Sequence, residues 1–267
     1  MSRSADLAVI GGSGLYALLE DAVEQKVDTP FGDPSDVVTM ATVGGRDVAF
    51  LPRHGRDHRF PPHRINYRAN LWALRSLGVR QILAPCAVGG LRPELGPGTF
   101  VLPDQVLDRT TSRVRTFYDT GAVHLTYADP YCPAGRDAVR VTAAEQGQEI
   151  VDGGTMVVIE GPRFSSRAES RSYTAAGGAV VNMTGEPEAT LARELGLCYT
   201  SIALVTDLDA GVEGDHGVTQ EEVFRVFGEN TERLRALLLA AIGRLPETRT
   251  CPCSSSLDGL ALPIELP

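Results

Sequence analysis

The chain has 267 residues, 43 % of them apolar and 22 % charged, with a formal net charge of −9. That length and balance suit one large α/β domain with an ample core and exclude disordered and fibrous classes. The acidic balance argues against a nucleic-acid partner, which needs a basic surface, but not against a small phosphate ligand held by a few arginines and amides.

Leu7–Ile10 is a short apolar run ending in Gly11-Gly-Ser-Gly14, which reads as a buried strand and a turn. Val37–Val43 and Asp47–Leu51 flank Gly44-Gly45, a hairpin signal. His63–Leu77 carries apolar residues on one helical face, and Gly78 suits its C-cap. Gln81–Val88 reads as a central strand that Gly89-Gly90 ends, and Thr99–Leu107 as one further strand. Thr155–Ile159 is β-rich, and Ser166-Arg-Ala-Glu169 has capping-box spacing for a helix start. Val180–Met183 reads as a strand, Glu188–Leu195 as a helix closed by Gly196, and Tyr199–Val205 as a buried strand. Thr219-Gln-Glu-Glu222 opens a long amphipathic helix with Val223, Phe227, Leu234, Leu238 and Ala241 on one face.

Strands alternating with helices and lacking a long linker predict a single α/β domain over residues 1–245 around a mixed sheet. Residues 246–267 form a Pro-, Ser- and Cys-rich tail, expected to be mobile or packed on a neighbour. No apolar run approaches the roughly 18 residues of a membrane span. Met1-Ser-Arg-Ser-Ala-Asp6 shows no signal-like segment, so a cytoplasmic location without a membrane partner is expected. The odd count of five cysteines argues against a secreted disulfide framework. Cys251-Pro-Cys253 reads as two tail thiols, because a zinc site needs partner ligands at suitable spacing.

Five segments carry candidate chemistry. Gly12-Ser-Gly14 follows a strand and fits the start of a dinucleotide fingerprint, but Asp28–Pro34 breaks the crossover helix that fingerprint requires. The turn remains a phosphate cradle through its amides and Ser13, or a plain tight turn. Arg53-His54-Gly-Arg-Asp-His58 concentrates Arg and His after a strand, which suits phosphate oxygens better than metal. Glu160-Gly-Pro-Arg-Phe-Ser-Ser166 places an aromatic and hydroxyls at a helix entrance, where they can hold a flat base or merely start a helix around a buried Phe. In Asn182-Met-Thr-Gly-Glu-Pro-Glu188, Thr184 either meets an anion or caps a helix. Thr206-Asp-Leu-Asp209 puts two carboxylates at the carboxyl end of a strand, where ligands of open α/β sheets collect. Close carboxylates push one pKa upward, unless both are simply solvated in a loop.

Together these blocks resemble the 5′-methylthioadenosine phosphorylases of the trimeric purine nucleoside phosphorylase family. The match runs in order from Ile10-Gly-Gly-Ser-Gly-Leu15 through Thr29-Pro-Phe-Gly-Asp-Pro-Ser35, Arg53-His-Gly-Arg56 and Asn66-Tyr-Arg-Ala-Asn70. It continues through Asp108-Arg-Thr-Thr111, Phe117-Tyr-Asp119, Ala128-Asp-Pro-Tyr-Cys-Pro133 and Ile159–Ser170 to Asn182-Met-Thr184 and Thr206-Asp207 with Asp209. The resemblance implies a single-domain fold with a mixed, partly barrel-like sheet flanked by helices, and a homotrimer with shared active sites. Phosphate would meet Ser13, Arg53, His54, Cys86, the Ala87 backbone and Thr184. The base and ribose would meet Phe164, Ser165, Met183, Asp207 and Asp209. His124, reaching a neighbouring copy, would line the 5′ pocket with Gln220, Val223 and Phe224.

The implied reaction is phosphate-dependent cleavage of the N-glycosidic bond of 5′-methylthioadenosine, with Asp207 and Asp209 catalytic. Phosphate is a co-substrate, and neither a cofactor nor a metal is expected. Paired aspartates suit a 6-amino purine, whose N6 donates, and Ser165 stands where relatives acting on oxopurines carry Glu. A 6-oxopurine phosphorylase is the alternative. A hydrolytic nucleosidase would leave the Arg53 segment without a purpose, and a non-catalytic adenine-binding module would not need the phosphate set. The chain departs from the family pattern at Cys86, at Gly185-Glu186, and at Gln220, where the methylthioadenosine enzymes carry an apolar residue.

Overall fold

A computed structural model describes residues 3–12, 22–212 and 217–267. Its strands are β1 (Leu7–Gly11), β2 (Val23–Gln25), β3 (Val38–Val43), β4 (Arg46–Pro52), β5 (Gln81–Gly90), β6 (Phe100–Leu102), β7 (Gln105–Arg109), β8 (Val151–Asp152), β9 (Thr155–Ile159), β10 (Gly178–Asn182) and β11 (Cys198–Leu208). The helices are α1 (Tyr67–Ser76), α2 (Pro133–Glu145), α3 (Arg167–Ala175), α4 (Gly185–Glu194) and α5 (Gln220–Arg244). Among the described residues the strands join into one mixed sheet ordered β2-β3-β4-β1-β5-β10-β9-β7. A branch leaves this path at β5, which pairs with β11; β11 then pairs with β6, and β6 with β8.

Side-chain alternation along the strands feeds two cores. In β1, Ala8 and Ile10 face a core shared with Leu71 and Leu74 of α1 and Leu191 and Ala192 of α4. Leu7 and Val9 face the opposite core, shared with Val139 of α2 and Leu234, Leu237 and Leu238 of α5. A strand covered on both faces reads as a continuous apolar run, which is why Leu7–Ile10 shows no alternation.

Several expected boundaries move for physical reasons. The run 99–107 is two strands, because Pro103 and Asp104 interrupt it and the halves take different partners: β6 pairs with β11 and β7 with β9. Gly89 and Gly90 do not end β5 but lie within it, paired with Val181 and Val180 of β10. They are glycine because of close approach: a Cβ at Gly90 would stand 2.3 Å from the Leu95 carbonyl oxygen, and one at Gly89 would stand 2.9 Å from Asp207 Oδ2. Strand β11 runs three residues beyond the expected Val205. The Ser166–Glu169 capping box forms with both of its bonds at the start of α3. Of the apolar face expected on α5, Leu234, Leu238 and Ala241 are buried, whereas Val223 and Phe227 are only half-buried in its early turns. The tail folds back on its own chain, with Cys251 and Cys253 buried and Leu262, Ile264 and Leu266 against the first core.

The sheet splits beside β5. On one side β11 follows β5 along its length. On the other, β1 pairs only with residues 81–83, and β10 joins only at residues 89 and 90. Pro85, without an N–H, cannot continue the β1 ladder. Arg53 fills the base of the split instead. Its Nη2 donates to the Ile10 carbonyl and its Nη1 to the Pro85 carbonyl, each at 3.0 Å. Its Nε and Nη2 each donate to Glu188 at 2.8 Å. Burial works against the guanidinium charge, but the Glu188 carboxylate more than offsets it, so Arg53 stays charged. Tyr199 of β11 donates to Glu188 at 2.7 Å, tying the pair to a further strand.

Glu186, at the start of α4, is also buried, accepts from the Tyr127 hydroxyl at 2.7 Å, and is pushed up to about 7, chiefly by burial. The folded chain then holds a proton that the unfolded chain releases above its ordinary value, so stability falls as pH rises from about 4.5 to about 7 and levels off beyond. Glu186→Gln keeps an acceptor for Tyr127. By denaturant unfolding it should be more stable than the parent by roughly 1–3 kcal/mol at pH 8, with the gap closing as pH is lowered toward 4.5. Glu188→Ala strands the buried Arg53 charge and should cost about 3–5 kcal/mol in the same measurement.

Candidate active site

The split between β1 and β10 opens above the Arg53 plug, and three polar segments border it. In an extended strand the N–H and C=O of one residue face the same side. The Ala87 carbonyl accepts from Asn182 Nδ2 at 3.0 Å across the split, so the Ala87 N–H faces the split too. Cys86 is buried, with its Sγ 3.6 Å from Ser201 Oγ of β11, and burial pushes the thiol up. Asn182 also shapes the far wall. Its Oδ1 accepts from the amides of Thr184 and Gly185 at 2.7 and 2.6 Å, curling the chain after β10. Thr184 is buried and makes no side-chain cap to α4, so its hydroxyl is kept beside Asn182 Oδ1 at 3.4 Å.

His54 stands on the loop after β4. Its Nδ1 donates to the Phe60 carbonyl at 2.8 Å, and its ring stacks on His58 with centroids 4.2 Å apart. Burial, opposed by the Phe60 bond and reinforced by His58 and Arg53, brings its pKa down to about 4. The ring is therefore neutral near pH 7, with a proton on Nδ1 and a lone pair on Nε2. Arg53 has less to offer an anion than a free arginine. Four of its five N–H groups are already donated within the fold, leaving one on Nη1. Ser13 lies outside the described residues.

The second half of the site is built by a bulge. Val205 pairs with Val88 and Asp207 with Gly89, so Thr206 is an extra residue in β11 that re-aims the residues after it. Thr206 Oγ1 donates to Asp207 Oδ1 at 2.8 Å, leaving Oδ2 toward Gly89. Burial raises Asp207 to about 6; the Thr206 bond opposes this, and the charges of Asp209 and Glu222 add to it. Asp209, anchored by its amide to the Gly90 carbonyl at 2.9 Å, is likewise raised, first by burial. Ser165 and Ser170 turn their hydroxyls toward Asp209. Yet Asp209 Oδ2, Ser165 Oγ and Ser170 Oγ are buried and complete no well-aligned hydrogen bond among the described residues. A buried carboxylate and hydroxyl without partners are costly unless a ligand completes them.

Phe164 is half-buried just before Ser165. Met183 is half-buried and packs against Gly161, where a Cβ would stand 2.7 Å from its sulfur and 3.5 Å from Pro62. The turn after β9, the turn after β10 and Pro62 thus come together at Gly161. Of the residues expected in the 5′ pocket, Phe224 is exposed on the first turn of α5 with its ring 6.2 Å from that of His58. Val223 beside it is half-buried, and Gln220 is exposed. His124 is exposed, and no hydrogen bond or ring contact among the described residues joins it to the other site residues. Asn182, Glu188, Thr206 and Gly89 were given no role from sequence. A polar residue closing an apolar strand, as Asn182 closes β10, was the available signal.

Comparison with known proteins finds relatives over nearly the whole chain. The model of the phosphorylase superfamily matches residues 6–243. The chain is 58 % identical to a purine nucleoside phosphorylase of Streptomyces coelicolor, covering 98 % of each chain. It is 55 % identical to an S-methyl-5′-thioadenosine phosphorylase of Mycobacterium tuberculosis, covering 98 % of this chain and 97 % of the relative. The crystal structure of a methylthioadenosine phosphorylase from an antarctic soil metagenomic library superposes with a TM-score of 0.90 at 38 % identity, covering 96 % of this chain and 92 % of that one. With its mixed sheet, its split beside β5 and a match over nearly its whole length, the chain belongs to the phosphorylase superfamily.

Proposed function

We propose that the chain cleaves 5′-methylthioadenosine with inorganic phosphate, giving adenine and 5-methylthioribose 1-phosphate. The observation that carries this reading is the buried pair Asp207 and Asp209 just after the β11 bulge, one raised to about 6 and the other with an oxygen that completes no hydrogen bond among the described residues. Phosphate binds in the split, held by the Ala87 amide, the Thr184 hydroxyl, the last Arg53 N–H and Ser13. His54 Nε2 accepts a hydrogen bond donated by a protonated phosphate oxygen, and Cys86 lines the floor. The purine packs on Phe164 with Met183 under the ribose.

A phosphate oxygen attacks the anomeric carbon as the bond to the purine nitrogen breaks. Positive charge grows on the sugar beside the phosphate anion, and negative charge grows on the base. Protonated Asp207 donates toward the purine N7, while Asp209 accepts from the 6-amino group with Ser165 beside it. Positioning and electrostatic stabilisation by phosphate supply the rest. This chemistry calls on neither a metal nor an organic cofactor. Val223, Phe224 and Gln220 face the 5′ substituent, completed in a homotrimer by His124 of a neighbouring copy. The enzyme acts in the cytoplasm, in purine and methionine salvage. Among the described residues, no helix is long and apolar enough to cross a membrane.

Adenine release from 5′-methylthioadenosine should require phosphate. Release without it contradicts a phosphorylase, and faster cleavage of inosine supports the 6-oxopurine reading that the Streptomyces relative's name leaves open. Asp207→Asn should lower kcat/KM about 10²–10⁴-fold. The parent's kcat/KM should fall as pH rises above about 6, where Asp207 loses its proton. Phosphate titrates nearby, so the limb is assigned to Asp207 only if Asp207→Asn flattens it. Gly89→Ala drives a methyl group against the Asp207 carboxylate and should reduce kcat/KM at least tenfold, by order of magnitude.

A further inference from the structure

Four of the five cysteines converge at one place. Cys132 caps the start of α2, Cys198 opens β11, and Cys251 and Cys253 flank Pro252 at a short 3₁₀ turn in the tail. All four are buried, and their sulfur atoms lie within 4.8 Å of one another. Cys251 Sγ is 3.6 Å from Cys132 Sγ and 3.3 Å from Cys198 Sγ. These separations are far from the ~2.05 Å of a disulfide. They approach the edges, about 3.8 Å, of a thiolate tetrahedron around zinc with bonds of about 2.3 Å. The tail pair, which reads in sequence as plain thiols for want of partner ligands, receives both partners from the fold.

Two arginines reach the cluster from separate elements. Arg193 Nη2 stands 3.8 Å from Cys253 Sγ, and Arg249 Nη1 stands 3.8 Å from Cys198 Sγ. Four thiolates around a divalent cation carry a net charge of −2, which two guanidinium donors balance. Neutral thiols give the buried Arg193 and the half-buried Arg249 no such counter-charge.

We infer that Cys132, Cys198, Cys251 and Cys253 form a structural zinc site. The ligand set is closed, with four protein sulfurs and no open position, so the ion has a structural task and no part in the reaction. It lies at the opposite end of β11 from Asp207. By holding Cys251 and Cys253 it fastens the tail, whose Leu262, Ile264 and Leu266 pack against the first core.

The test uses the full chain, expressed with added zinc and purified under reducing conditions without chelator. Elemental analysis should find close to one zinc ion per chain, and mass spectrometry of the denatured chain should find all five cysteines reduced. Titration with a mercurial should release the zinc to a colorimetric indicator as the cluster thiols are consumed. Cobalt bound in its place should show the intense visible bands of tetrahedral thiolate coordination. Cys253→Ser should lose most of the zinc and melt at lower temperature. Should that variant fail to fold, the parent's zinc content still decides. Substoichiometric traces of zinc, or paired disulfides in the parent, would overturn the proposal.

Discussion

The Arg53–Glu188 pair at the base of the split is the interaction on which the site depends. Between β1 and β5 the ladder stops at residue 83, and the Ile10 and Pro85 carbonyls face inward with no strand to satisfy them. A buried carbonyl without a donor costs about 1–3 kcal/mol, so a split in the middle of a sheet is not stable by itself. One guanidinium satisfies both carbonyls, and Glu188 supplies its counter-charge from α4. The strands are thereby held apart at a fixed width, and the Ala87 N–H beyond them faces the split. Four of the five Arg53 N–H groups are therefore spent on holding the split open.

The other half of the site obeys a related rule: a regular element is interrupted at one residue and the interruption is stabilised locally. Thr206 is extra in β11, and its hydroxyl both donates to Asp207 and approaches the Val88 carbonyl at 3.3 Å. Gly89 leaves room for the re-aimed carboxylate. Because Asp207 lies in β11, Asp209 directly follows it and Ala87 belongs to β5, the carboxylates and the Ala87 backbone rest on two neighbouring strands in fixed register. Their relative position is set by backbone pairing rather than by loops.

Much of this was legible in the sequence where the information is local. The Ser166–Glu169 box names its own partners, and the Leu7–Ile10 run announces burial on both faces. The acidic pair at 207 and 209 reads as a strand-end site because side-chain alternation is a property of the strand alone. What could not be read depends on residues far apart in the chain. Arg53 looks like a free anion binder until Glu188, 135 residues on, is seen to occupy it. Gly89-Gly90 looks like a strand end, because local composition cannot distinguish a turn from a close approach to Asp207 or Leu95. Pro103-Asp104 splits a run whose halves have similar propensities but different neighbours. The cysteine cluster is invisible for the same reason, its four members coming from three distant segments.

Strand β5 is shared by three neighbours: β11 along its length, β1 at its start and β10 at its end. A strand in that position cannot fray from an edge, because every route to exposing its amides passes through the opening of a larger cooperative unit. In amide hydrogen exchange, β5 and the facing part of β11 would belong to the slowest class, exchanging only through global unfolding. The loop bearing His54 and the first turn of α5 would exchange through small local openings. Substrate entry and product departure would then draw on the fast class alone, and the floor that aligns the two reactants would keep its shape through every turnover.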